Sequence, residues 1–108
     1  MKHLAPMDTG VHKEGNGYER TILFAEPGLP LLKFELRVDR IPESSFAKIS
    51  EWNTAKQEWD PFERYGASRF WHDVPGWERF SSDRTDRSTY RLALELVEIV
   101  RVAYAEAV

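Results

Sequence analysis

Eight consecutive positions, Leu32 to Asp39, alternate without error: Leu32, Phe34, Leu36 and Val38 are apolar, while Lys33, Glu35, Arg37 and Asp39 are charged. A period of two belongs to a strand, because successive side chains leave opposite sides of a pleated backbone. One side of this strand is dry and the other wet, as in an antiparallel sheet with one face packed on a core. The chain must therefore build a sheet and cover one face of it.

The nearest partner strand is Tyr18 to Ala25, where Tyr18, Thr21, Ile22 and Phe24 supply β-branched and aromatic residues. Glu26-Pro27-Gly28-Leu29-Pro30 separates the two segments, with Pro-Gly suited to the centre of a type II turn. A hairpin follows. Upstream, beyond Met1 and Ala5, residues 1–17 hold apolar residues only at Leu4, Met7 and Val11 and read as a flexible arm. Thr9–Lys13 is weighed as an edge strand, turning through Glu14-Gly15-Asn16-Gly17 to make a three-stranded meander.

Two helices are expected to cover the dry face. The first starts at Pro42-Glu43-Ser44-Ser45 and carries Phe46, Ile49, Trp52, Ala55 and Trp59 at helical spacing, stopping at Asp60-Pro61. The second starts near Ser82 or Asp83 and runs to about Glu106. Its apolar arc (Leu92, Ala93, Leu96, Val97, Ile99, Val100, Ala103, Tyr104, Ala107) exceeds what a small sheet covers. Leu94 and Val102 interrupt the polar stripe of Arg91, Glu95, Glu98 and Arg101. Leu94 and Val102 are therefore assigned to a homodimer interface. The fold class is α+β: a hairpin or three-stranded meander with two helices on one face, one two-layer domain over 18–108 behind the arm.

Composition sets limits on function. The 108 residues suffice for one domain, and 42% hydrophobic content excludes a disordered chain. There is no Cys, which removes disulfides, thiolate metal sites and thiol nucleophiles. The net charge of −3 argues against a duplex DNA binder, whose affinity comes from neutralising phosphates. No apolar run reaches the length of a membrane span and no secretory signal opens the chain, so no membrane partner and a cytoplasmic location are expected.

The segment Asp60 to Phe80 has no sustained period. It interleaves Phe62, Tyr65, Phe70, Trp71, Trp77 and Phe80 with Arg64, Arg69 and Arg79. These rings can fill a core. They can also form a recognition surface, since Trp, Tyr and Arg dominate interface hot spots. The residues assigned to a partner are Arg64, Tyr65, Arg69, Phe70, Trp71, His72, Trp77 and Arg79. Rings beside Arg also suit single-stranded RNA or DNA, but residues 60–91 hold six Arg and six acids and are neutral. A small hydrolase based on His72-Asp73, with Ser68, Ser81 and Ser82 nearby in sequence, is the third reading. Adjacent residues rarely assemble such a site, and no nucleophile elbow or phosphate loop accompanies them. His3, His12 and His72 are too scattered for a metal site, and no cofactor signature occurs. The reading is a small, non-catalytic protein-binding module of inhibitor, immunity, antitoxin or phage-accessory type, with single-stranded nucleic acid as the alternative.

Overall fold

The structure, a computed structural model, describes residues 5–15, 17–39, 45–63, 68–70 and 82–107. Along the chain run β1 (Met7–Asp8), β2 (His12–Glu14), β3 (Gly17–Phe24), β4 (Leu32–Val38), β5 (Phe46–Asn53), β6 (Glu58–Pro61), β7 (Ser68–Phe70) and α1 (Ser82–Glu106). All seven strands join one antiparallel sheet with β4 at its centre. The α+β class holds. Among the described residues there is one helix, where two were expected.

The β3–β4 hairpin forms as the sequence indicated. Tyr18 pairs with Val38, Ile22 with Phe34 and Phe24 with Leu32, which puts the apolar members of both strands on one face. The turn closes with the Leu29 N–H donating to the Glu26 carbonyl at 3.1 Å, and Gly28 adopts φ 79°. That positive φ is why glycine stands at the third turn position. Gly17 is needed for space: a Cβ there would lie 1.7 Å from the Val38 carbonyl oxygen.

The expected first helix is instead a strand pair. Phe46–Asn53 pairs with β4, joining Phe34 to Ile49 and Leu36 to Ala47, and β6 then returns beside it. Phe46, Ile49, Trp52 and Trp59 fit a helix by spacing alone. Their pattern as strands is masked because Ala47 and Ser50 are small and both are buried, one on each face. What decides is the free edge of β4, whose backbone groups need partners that a helix cannot supply. The reversal runs through Asn53–Glu58, with the Lys56 N–H donating to Asn53 Oδ1 at 3.0 Å and Gln57 at φ 57°. Pro61, read as a helix stop, lies in the last position of an outer strand, where a missing N–H is tolerated.

Part of the arm also belongs to the sheet. Where an edge strand was weighed over 9–13, the strand is His12–Glu14, pairing Lys13 with Tyr18 and Glu14 with Gly17, and Met7–Asp8 adds a second piece beside Ile22 and Leu23. Gly10, at φ 71°, breaks the edge between the two pieces. The opposite edge is broken likewise into β6 and β7, both paired with β5.

The second expected helix is present, and it packs over β4 and β5. Leu92, Ala93, Leu96, Val97 and Val100 are buried in one cluster with Phe34, Leu36, Ala47 and Ile49, and Thr89 is buried one turn before them. Those helix positions follow i, i+3, i+4 spacing, so the buried side is a single stripe. The sheet is large enough to cover it, so a dimer is not required to bury this helix. Leu94 and Val102 nevertheless stand exposed on its outer side, at 44% each. No helix among the described residues is long and apolar enough to cross a membrane.

Candidate functional site

On the covered face of the sheet Arg20 is the one charged side chain, among the described residues, that is buried. This residue alternates with Tyr18, Ile22 and Phe24 and so points under α1, where it is 4% exposed. A guanidinium in such a place must have its donors satisfied. Its Nε donates to Asp8 Oδ1 at 3.0 Å and Nη2 to Asp8 Oδ2 at 2.6 Å, a two-pronged pair with the edge strand. Nη1 donates to the Asp86 carbonyl at 2.7 Å and to Thr89 Oγ1 at 3.0 Å, both on α1. One side chain thus ties β1, β3 and the N-terminal half of α1 together. The Arg20 hydrogen bonds hold the Asp8 carboxyl below its ordinary value against the opposing effect of burial, with further help from the Gly10 N–H. They also raise the Arg20 pKa, again against burial.

Above this clasp lies a groove of ≈ 420 Å³ lined by Asp8, Arg20, Asp86, Arg87, Tyr90, Arg91 and Leu94. Its floor is polar and engaged; its helical wall is not. Tyr90 is 41% exposed and Leu94 44% exposed. Tyr90 is propped from beneath, with the Arg20 guanidinium carbon 5.5 Å from its ring centroid and the Phe24 ring at 6.2 Å. Arg87 and Arg91, one helical turn apart, are exposed, and neither forms an ion pair with a described residue. The wall thus offers two free guanidinium forks, a braced ring and an aliphatic side chain. Such a surface can hold carboxylates and an apolar side chain between them.

The face of the sheet away from α1 is different. Trp52 and Trp59 pair across β5 and β6 edge to face at 5.2 Å, with Lys33 Nζ 4.8 Å from the Trp59 centroid. Lys48 sits over Phe46 at 5.3 Å, Lys33 reaches Glu35 at 3.5 Å, and Arg37 lies 3.9 Å from Glu19. Its cations have partners within the sheet.

Of the residues assigned to a partner from the sequence, Arg64, Tyr65, Trp71, His72, Trp77 and Arg79 lie outside the described residues. Arg69 and Phe70 belong to β7, where their backbones pair with Ala47 and Phe46. The groove was missed. Its signal was the charged Arg20 recurring with apolar neighbours at period two, and Tyr90 standing four residues before the exposed Leu94. Among the described residues no cluster of His, Asp and Glu could hold a metal ion. Comparison with protein-family models, curated proteins and solved structures found nothing that matches the chain.

Proposed function

We propose that the protein is a non-catalytic protein-binding module whose binding surface is the groove wall formed by α1. The observation that carries this reading is the set Arg87, Tyr90, Arg91 and Leu94, exposed side by side on a helix whose other side is locked into the core. The partner that fits is an acidic segment bearing an apolar side chain: its carboxylates meet the two arginines, and its apolar group packs between Tyr90 and Leu94. Arg20 plays a supporting part. Four of its five N–H donors already serve protein groups, so it fixes the shape of the site and leaves recognition to the wall. Strand addition is the competing mode of recognition. Both sheet edges are broken into short strands, one at Gly10 and one between β6 and β7, which disfavours it.

The aromatic and Arg-rich segment around Arg64–Arg79 stays a second proposed contact zone, and Trp71→Ala and Trp77→Ala test it by binding and by melting temperature. The wall is tested with a photo-crosslinking amino acid placed at Arg91 in one variant and at Arg37, on the far face, in another. Adducts to a protein through an acidic segment are expected at position 91, absent at position 37 and lost when Arg87→Glu is added. Equal labelling at both positions overturns the reading. So does micromolar binding to a single-stranded oligonucleotide that weakens steeply between low and physiological salt.

A further inference from the structure

Among the described residues the exposed large apolar side chains are Met7, Tyr90, Leu94 and Val102, and three of the four stand on α1. Tyr90, Leu94, Glu98, Val102 and Glu106 recur every fourth residue, so they form one ridge along the outer side of the helix. The ridge changes character along its length. Arg87 and Arg91 flank its N-terminal half, whereas Glu98 and Glu106 belong to its C-terminal half, all of them exposed. The ridge therefore runs from two flanking arginines to Glu106, with Leu94 and Val102 on either side of a central Glu98 that its own Arg101 holds. Reversed on itself, it sets arginine toward Glu106 and Leu94 toward Val102.

We infer that this ridge packs against the same ridge of a second copy, with the two α1 helices antiparallel about a two-fold axis at Glu98. The inference rests on the reading of α1 as the binding face and names one partner for it. The axis sets Leu94 opposite Val102 of the second copy, and Tyr90 with Arg91 beside its Glu106. Two copies of each contact arise, as a closed two-fold interface requires. The two Glu98 carboxylates meet at the axis, but each is already hydrogen bonded by its own Arg101. That same Arg101 holds Glu26 at 3.0 Å, which fixes the C-terminal half of α1 to the β3–β4 turn. A parallel arrangement would instead set arginine against arginine. From Arg87 to Glu106 the ridge is about 30 Å long. Because the second copy covers Tyr90, Arg91 and Leu94, dimer and acidic partner exclude one another.

Sedimentation equilibrium of the full chain between about 1 µM and 1 mM tests this, with a reversible monomer–dimer equilibrium expected. Leu94→Glu and Val102→Glu should each give a monomer with an unchanged circular dichroism spectrum. Arg91→Glu and Glu106→Arg should each weaken the dimer about tenfold, and the two together should restore it. A wild type that stays monomeric at the highest concentration overturns the inference, as does a dimer indifferent to Leu94→Glu. Failure of the double variant to recover overturns the antiparallel arrangement. A monomeric wild type that still forms protein adducts at position 91 removes the dimer and keeps the binding reading. A dimer whose adducts at 91 are only to itself does the reverse.

Discussion

The two faces of the sheet are built from the same strands and solve different problems. Under α1, Tyr18, Ile22, Phe34, Leu36, Ala47 and Ile49 are buried together, and the single buried charge among them, Arg20, has four of its five N–H donors engaged. On the far face, charged and aromatic side chains meet in pairs across strands, such as Lys33 with Trp59 and Arg37 with Glu19. Burial on the first face is cooperative, because every side chain removed leaves a gap in a packed interior. Contacts on the second are local and nearly independent. The lesson is that a charge is buried under the helix only where geometry supplies it with hydrogen-bond partners, while the far face takes charges in any complementary order.

The contrast can be broken most directly at Phe34, which is fully buried at the middle of the covered face. Phe34→Ala should lower unfolding free energy by about 4 kcal/mol in urea titration. A loss below about 1 kcal/mol would mean that the two faces are energetically alike.

Arg20 sharpens the comparison from the polar side. Arg20→Ala removes the guanidinium that pairs with the Asp8 carboxylate and bonds α1, and should cost about 3 kcal/mol. The double variant Arg20→Met with Asp8→Ala replaces the pair by apolar volume and should recover most of that loss. If it recovers nothing, the clasp does more than fill space.

Acid tests the same pair by a different route. The Asp8 carboxyl has its pKa lowered in the fold, so its contribution is present above its unfolded value of about 4. It is lost as pH falls through the lower folded value. Wild type should therefore lose stability below about pH 4 relative to the Arg20→Met, Asp8→Ala variant, read as converging melting temperatures. Curves that stay parallel down to pH 2 would detach Asp8 from the effect. At the alkaline end Tyr104 is pushed up to about 12 by burial and by its 2.8 Å hydrogen bond to Glu51. Its contribution is present below pH 10 and is lost as pH rises through about 12, and Tyr104→Phe should remove that part of the alkaline transition.

Smaller effects belong to the close approach and to the far face. Gly17→Ala drives a methyl group into the Val38 carbonyl and should cost about 2 kcal/mol. Trp59→Ala, which removes one ring of the cross-strand pair, should cost about 2 kcal/mol. Arg37→Ala should change stability by less than about 0.5 kcal/mol. A far-face loss as large as that of Phe34→Ala would show a second core there.

The hairpin, its Pro-Gly turn and the final helix were legible because each is specified by neighbours in sequence. Leu32–Asp39 states its own period, Gly28 meets a local requirement for positive φ, and the stripe from Thr89 to Val100 repeats with the helix. The segment from Phe46 to Trp59 was misread because two small residues, Ala47 and Ser50, blurred its alternation, and aromatic spacing then fitted a helix better. The groove was legible only in fragments: Leu94 drew notice as an apolar intruder, whereas Arg20 and Asp8 did not.

By itself, then, the sequence determined an antiparallel sheet with one dry face and a long helix to cover it, because periodicity records which side of each element avoids water. It also placed Leu94 and Val102 on the helix's outer side. Only the tertiary structure decided that 46–61 would be strands, since pairing with the free edge of β4 is not written in the local spacing of 46–61 and its hydrogen bonds outweigh local propensity. It alone joined Asp8, Arg20 and Asp86 into one clasp. Those residues are 12 and 66 positions apart, and a contact over such separations leaves no mark in a local pattern.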